Sequence, residues 1–70
     1  MTTSTYKMIE LVGTSPRSIE DAINNALAGK AAKRHADQRW VQVLETRGAI
    51  KNGKVTDWQV TVKVGMKAEA

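Results

Sequence analysis

The chain has 70 residues, a mass of 7.7 kDa and no cysteine. A chain of this length forms one domain at most, and so small a domain buries only about 60% of the surface that its unfolded chain exposes. Without cysteine there are no disulfides or thiolate metal sites, and one histidine, His35, cannot form a zinc site by itself. Oligomerisation is the remaining means of stabilising such a fold, and we expect it.

The charge and the apolar pattern limit the classes of partner. Lys and Arg number 11 against 7 Asp and Glu, which gives a net charge of +4. This balance favours an anionic partner such as a nucleotide, a coenzyme or a nucleic acid, although many small soluble proteins are basic. No apolar run approaches the about 20 residues of a membrane helix, and residues 1–5 lack the apolar core of a signal peptide. We therefore expect a cytoplasmic protein with no membrane partner.

The chain opens on a strand pattern. Residues 6–12 alternate so that Ile9 and Leu11 share one strand face, and a Gly-Thr-Ser-Pro turn ends the pattern. No linker or repeat divides the sequence. We therefore treat residues 1–70 as a single domain in which residues 1–4 are flexible.

A helix pattern follows the turn. It begins at one of two caps, either Ser15 with Pro16 at the first helical position, or Ser18. Apolar residues at helical spacing form one stripe, which consists of Ile19, Ala22, Ile23, Ala26 and Leu27. We expect the helix to end near Arg34 or His35, with the basic residues that precede this point at its negatively polarised end.

The second half of the chain predicts a long hairpin. Residues 40–50 and 55–66 read as strands, and the Asn-Gly dipeptide at positions 52–53 is a strong hairpin signal because both residues tolerate positive φ. A two-residue turn fixes the register, so Lys51 faces Lys54 and each earlier residue faces its counterpart at the same distance from the turn.

This register divides the hairpin into two faces. One face, which we expect to pack on the helix, carries Val41, Val43 and Glu45 opposite Val64, Val62 and Val60, together with Trp58. The other face carries Trp40, Gln42, Leu44 and Thr46 opposite Gly65, Lys63, Thr61 and Gln59. A carboxylate fits poorly among valines, so we predict a β-bulge between Glu45 and Gly48.

The order of the elements predicts the fold. A strand–helix–strand connection makes the first two strands parallel, and the third strand, antiparallel to both, lies between them. We therefore predict an α+β fold with β-α-β-β order, in which a three-stranded sheet of order 1-3-2 wraps around one helix.

Trp40 is the candidate binding residue that the pattern itself indicates. A single helix covers one side of the sheet, so Trp40 and Leu44 remain on the other side. Gly65 faces Trp40 and leaves open space over the indole, as a planar ligand would require. Packing of Trp40 against another subunit is the alternative, and the spacing alone leaves both open.

The sequence contains no catalytic arrangement. It has no nucleophile turn and no glycine-rich phosphate loop, and we expect no enzymatic activity. The basic run Lys30, Lys33 and Arg34 is typical of a solvated face or, alternatively, of a phosphate site. With the net charge, it makes a small basic nucleic-acid-binding protein the alternative function.

Several segments in order resemble the dodecin family of small flavin-binding proteins. They are ELVGTS at residues 10–15, SIEDAI with NALA within 18–28, RGAI at 47–50, NGKV at 52–55, and WQV with VKVG within 58–65. The resemblance spans residues 6–67. It implies a hollow homo-dodecamer that stores or sequesters flavins in pairs at subunit interfaces, FMN first among them, with FAD or riboflavin as alternatives.

The resemblance also implies the site residues. The stacking tryptophan of the family corresponds to Trp40, the glutamine that binds the polar edge of the isoalloxazine to Gln59, and the arginine beside the flavin to Arg47. A basic residue that binds coenzyme A corresponds to Lys67, where lysine keeps the charge of the usual arginine without its bidentate fork. Residues 29–39 depart from the family pattern, so the resemblance implies no coenzyme A contact in that segment.

The family's flavin lies against an electron-rich indole, which implies quenching of its photochemistry. In the hairpin register Gln59 faces Thr46, six residues from Trp40 on the same face. That separation is about 20 Å along a strand. We therefore expect the tryptophan and the glutamine that contact one flavin to come from different subunits.

Overall fold

The computed structural model describes residues 4–32 and 34–68, apart from the side chain of Ala31. Its elements are β1 (Tyr6–Ser15), α1 (Ile19–Ala28), β2 (Gln38–Lys51) and β3 (Lys54–Lys67), and two 3-10 turns (Lys30–Ala32 and His35–Asp37) lie between α1 and β2. β3 lies between β1 and β2 and is antiparallel to both, which confirms the predicted β-α-β-β fold with sheet order 1-3-2. The expected flexibility of residues 1–4 concerns mainly residues 1–3, which lie outside the described residues.

The helix is shorter than the sequence indicated. Ser18, the second of the two candidate caps, is the N-cap, and its hydroxyl accepts a hydrogen bond of 3.0 Å from the Asp21 N–H. The helix ends at Ala28, because Gly29 leaves the helical region with φ −69° and ψ 160°. The prediction that the helix continues to Arg34 or His35 was wrong. Glycine costs about 1 kcal/mol inside a helix, and here it ends one.

This early end also changes the position of the basic run. The last turn of α1 carries no basic residue, so Lys30 and Arg34 lie in the connection to β2 and do not cap the helix dipole. Lys33 lies outside the described residues. Arg34 forms an ion pair with Asp37, with 2.9 Å between Nε and Oδ2, so the connection holds part of its positive charge in a local pair.

The core lies between α1 and the inner side of β1 and β3. Its buried residues are Ala22, Ala26, Val60, Val62, Val64 and Met66, and the partly buried Ile9, Leu11, Ile23, Leu27 and Trp58 pack around them. Gly13 lets the helix approach β1, because a Cβ there would overlap the Ala22 carbonyl oxygen and crowd the Ala26 methyl. A helix of 10 residues is about 15 Å long, whereas the 14-residue strands extend about 46 Å.

The valine face of the hairpin is therefore only partly covered. The three valines of β3 are buried as predicted, but Val41 and Val43 of β2 are 38% and 47% exposed. The expectation that both strands pack on the helix was wrong for β2. The helix packs against β1 and β3, and β2 is the edge strand that lies farther from it.

The hairpin turn is as predicted, with φ of 54° at Asn52 and 76° at Gly53. The register differs in the middle of the hairpin. Thr56 is an extra residue on β3 and Leu44 an extra residue on β2, and between these bulges every pair is shifted by one position. The predicted bulge between Glu45 and Gly48 is thus replaced by one bulge on either side of that stretch.

The shift moves a carboxylate out of the valine face. Glu45 faces Thr61 rather than Val60, and Thr46 takes the place opposite Val60. Because adjacent residues of a strand point to opposite sides, this one-residue shift places Glu45 on the side away from the core. The predicted pairing of Gln59 with Thr46 was wrong for the same reason, and Gln59 faces Arg47.

The isolated chain exposes more surface than a compact monomer of its size. Its radius of gyration is 14.3 Å, against about 11 Å for a globular domain of 70 residues. Its accessible surface is 5197 Å², against about 4,300 Å² for a monomer of this mass. The excess surface includes the valines of β2, which this chain leaves exposed. Within residues 4–32 and 34–68, no helix has the length and apolar character needed to cross a membrane.

Candidate binding site on the outer face of the sheet

The outer face is the side of the sheet that α1 does not cover. Trp40 lies on this face at one end of β2, opposite Gly65 of β3. Its indole lies directly on Gly65, because a Cβ at this glycine would overlap the ring atoms Cδ2, Cε2 and Cζ2. The expected open space above Gly65 is therefore filled by the indole itself. Trp40 remains 43% exposed, so part of its ring is available to another molecule.

Tyr6 contacts the indole from the far side of β3. It lies at the start of β1 opposite Lys67, and its ring centroid is 5.1 Å from that of Trp40 at an interplanar angle of 60°. Such an edge-to-face pair stabilises by about 0.5–1.5 kcal/mol beyond the area it buries. Tyr6, Trp40, Gly65 and Lys67 form what we call the tryptophan end of the outer face.

The sequence pattern did not single out Tyr6 or its neighbour Met8. Both belong to the outer face, and Met8 lies opposite Gly65 on the side away from Trp40. Both are exposed, at 46% for Tyr6 and 42% for Met8. The signal was present in the sequence, because Tyr6 and Met8 alternate with the inner residues Ile9 and Leu11 of the same strand.

Arg47 and Gln59 lie at the opposite end of the outer face, and we call this pair the amide end. The shifted register makes them cross-strand partners, and Nε of Arg47 donates a hydrogen bond of 2.7 Å to Oε1 of Gln59. Because the Gln59 oxygen is engaged, its NH₂ group and the remaining guanidinium N–H groups are what the pair offers to a ligand. The amide end therefore suits a ligand edge that carries acceptor oxygens or nitrogens.

The two ends are not close to each other in one chain. Gln59 and Gly65 are six residues apart on β3, which corresponds to about 20 Å. The structure thus brings Arg47 to Gln59, and Lys67 to the same end as Trp40. It does not bring the two pairs together.

The cavity beside Trp40 is smaller than a typical ligand pocket. A cavity of about 250 Å³ reaches Trp40 from the helix side of the sheet, and its lining consists of Leu27, Gln38, Arg39, Trp40, Val41 and Val64. Ligand pockets measure about 300–1,000 Å³. A planar ligand on the indole would therefore be only half covered by this chain.

A second polar cluster, which consists of Ser15, Arg17 and Asp21, joins two elements of the fold. The buried hydroxyl of Ser15 donates a hydrogen bond of 2.6 Å to Asp21 Oδ2 and accepts one of 2.9 Å from the Arg17 N–H. The hydrogen bond from Ser15 lowers the pKa of Asp21 below its usual value, desolvation partly opposes this, and the charge of Arg17 lowers it further. These contacts join β1 to the first turn of α1. Among residues 4–32 and 34–68, no group of three or more His, Asp or Glu could hold a metal ion.

The family assignment rests on nearly the whole chain. The model of the Dodecin family matches residues 5–69. The chain belongs to the dodecin family. It is 45% identical over 65 residues to the dodecin of Thermus thermophilus, an alignment that covers 91% of each sequence.

Solved dodecin structures have the same fold. The dodecin from Streptomyces davaonensis is 35% identical with a TM-score of 0.87, and the alignment covers 99% of this chain and 100% of that one. The dodecin from Streptomyces coelicolor is 36% identical with the same TM-score, over 100% and 99% of the two chains. Dodecins are small, non-catalytic binding proteins whose general ligands are flavins, so family membership confirms the prediction that the chain is not an enzyme.

Proposed function

We propose that this dodecin stores and sequesters a flavin, FMN first, by stacking the isoalloxazine on Trp40 at an interface between subunits of a homo-dodecamer. The observation that carries the proposal is the exposed indole of Trp40, which lies on Gly65 and keeps 43% of the residue accessible. An aromatic ring fixed on backbone with an accessible remainder is suited to a planar aromatic ligand.

The donors of the amide end fit the polar edge of such a ligand. The isoalloxazine carries carbonyl oxygens and ring nitrogens along one edge, and the NH₂ of Gln59 and the guanidinium of Arg47 are hydrogen-bond donors. Because the amide end lies about 20 Å from Trp40 in one chain, the indole and the amide that contact one flavin come from different subunits. Lys67, exposed at the tryptophan end, supplies a positive charge for a phosphate group.

The need for several subunits agrees with the shape of the chain. A radius of gyration of 14.3 Å and the exposed valines of β2 leave surface for neighbouring copies. One chain covers only one side of a ligand on Trp40. The binding site and the oligomer therefore depend on each other, and the loss of assembly should abolish binding.

The proposed role follows from the chemistry of the indole. When bound, a flavin supplies a ring that visible light excites. The indole of Trp40, in contact with that ring, is an electron-rich donor that quenches the excited state before photochemistry occurs. Trp40 also shields one ring face from water. Storage and protection from light are thus consequences of one contact.

The test combines native mass with flavin titration. We expect a native mass near twelve times 7.7 kDa and quenching of FMN fluorescence as the protein is added. Trp40→Ala should abolish the quenching. The control variant Trp58→Phe changes the other tryptophan, which lies on the inner face, and should retain the quenching. The proposal fails if FMN fluorescence is unchanged by the wild-type assembly. Parallel titrations with FAD and riboflavin rank the flavins.

Three further expectations belong to this proposal. Coenzyme A binding through Lys67 stays a prediction, and competition between coenzyme A and FMN would test it. A single domain over residues 1–70 and a cytoplasmic location also stay predictions.

Nucleic-acid binding, the alternative suggested by the net charge of +4, would weaken steeply with salt, whereas ring stacking on Trp40 would not.

A further inference from the structure

The indole of Trp40 crosses a whole strand to reach its neighbour. Trp40 belongs to β2 and Tyr6 to β1, with β3 between them. Adjacent strands are about 4.8 Å apart, so the two backbones are separated by roughly 10 Å. The ring centroids are nevertheless 5.1 Å apart, because the indole lies across β3 at Gly65, where there is no side chain to stop it.

The backbone beside Trp40 does little to fix the direction of the ring. The ladder between β2 and β3 has a register irregularity between Gln38 and Trp40, so Trp40 follows an extra residue on an edge strand. Gly65 supports one face of the indole but has no atom that blocks rotation of the ring about its side-chain bonds. The edge-to-face contact with Tyr6, whose ring centroid lies 5.1 Å from that of the indole, limits that rotation.

We propose that Tyr6 is a positioning residue of the ligand site, which holds the indole of Trp40 on Gly65 so that its accessible face is presented to a planar aromatic ligand. This inference rests on the proposed function, in which the indole stacks on a flavin. The aromatic ring of Tyr6 is the part that acts, because its hydroxyl has no hydrogen-bond partner among the described residues. Tyr6 itself need not touch the ligand.

The size of the effect follows from preorganisation. If the ring of Tyr6 keeps the indole in the binding orientation, its removal lowers the population of that orientation and raises the apparent Kd by the same factor. The stabilisation of an edge-to-face aromatic pair corresponds to a factor of about 2 to 13. The effect should be on affinity and on the spectroscopic signature of the indole, with no loss of the fold.

The experiment uses the assembled protein in a Trp58→Phe background, so that Trp40 is the only tryptophan. Tyr6→Leu removes the ring and Tyr6→Phe retains it, while Tyr6→Val is a second ring-free variant suited to a strand. Near-ultraviolet circular dichroism and acrylamide quenching report the order of Trp40 without ligand. Riboflavin and FMN titrations, with native mass and far-ultraviolet circular dichroism as controls, report binding.

The expected result is a weaker near-ultraviolet tryptophan signal and a Kd raised about 2- to 13-fold in Tyr6→Leu and Tyr6→Val, with both properties restored in Tyr6→Phe. Unchanged tryptophan spectra and unchanged Kd in the two ring-free variants would overturn the inference. If the wild type bound no flavin, the proposed function would fail, while the ligand-free spectra would still decide whether Tyr6 orders the indole.

Discussion

Substitution of Gly65 by alanine tests the geometry of the tryptophan end most directly. The new methyl would overlap the indole atoms Cδ2, Cε2 and Cζ2 of Trp40, far inside the about 3.5–4.0 Å separation of carbon atoms in contact. The backbone of β3 is fixed by pairing on both sides at this position. The indole must therefore move off the strand. This movement removes both its contact with Tyr6 and the surface that it presents to a ligand.

The magnitude can be worked from the burial of the ring. A buried tryptophan covers about 150–250 Å², and the 57% of Trp40 that is covered then corresponds to roughly 110 Å². At about 25 cal/mol per Å² this is at most about 3 kcal/mol. Part of this burial survives when the indole moves, so we expect Gly65→Ala to lower the free energy of unfolding by about 1–3 kcal/mol. FMN binding should weaken at least about tenfold, which corresponds to about 1.4 kcal/mol.

A double-mutant cycle separates the indole from other reasons for a glycine. With Trp40→Ala already present, the three atoms that lie nearest to the new methyl are gone, and φ at Gly65 is not in the left-handed region. Gly65→Ala should then be neutral or stabilise by about 0.4–1 kcal/mol. Denaturation curves at one protein concentration would measure this, since assembly makes apparent stability depend on concentration. Equal destabilisation in both backgrounds would refute the reasoning and would mean that the backbone or a neighbouring subunit requires the glycine.

Three further predictions concern the rest of the fold and the amide end. Because the hydrogen bond from Ser15 lowers the pKa of Asp21 from 3.8, the wild type should be more stable than Asp21→Asn above about pH 4. The wild type should lose that advantage as the pH falls below 3.8 and through the lowered pKa of Asp21. A difference in melting temperature between the wild type and Asp21→Asn that stayed constant across this pH range would contradict the prediction. Gly13→Ala should destabilise by about 1–3 kcal/mol or prevent folding, because the methyl would overlap a helix carbonyl; an unchanged melting temperature would be evidence against this close approach. Arg47→Ala removes the hydrogen bond to Gln59 and should raise the Kd for FMN about 2- to 13-fold, and the Kd of Arg47→Lys should lie between those of the wild type and Arg47→Ala. Equal affinity of the wild type and both variants would exclude a role for Arg47 in binding.

The sequence indicated candidate site residues, but it did not predict how they are arranged. The strand pattern indicated Trp40, the resemblance to the dodecin family implied roles for Trp40, Arg47, Gln59 and Lys67, and these roles in binding stay predictions. The structure adds that Arg47 and Gln59 are hydrogen-bonded partners. A register taken from the turn alone paired Gln59 with Thr46. The poor fit of Glu45 among valines indicated an irregularity, but it did not show that two compensating bulges shift the pairs between them by one position.

The sequence by itself determined the order and direction of the strands. Local chemistry carries that information, since the Asn-Gly turn requires positive φ, the capping serine starts the helix and the alternating valines form the core side of β3. The predicted end of the helix was wrong, because propensity alone does not say whether a glycine such as Gly29 weakens a helix or ends it.

Only the tertiary structure decided how the indole of Trp40 lies. The sequence placed Trp40 opposite Gly65 and predicted open space between them, whereas the indole itself fills the space above the glycine. The position of the indole depends on side-chain rotation and on Tyr6, which the chain brings from β1 across β3. Contacts between residues so far apart in the chain are not encoded in local periodicity, and they exist only once the three strands are packed side by side.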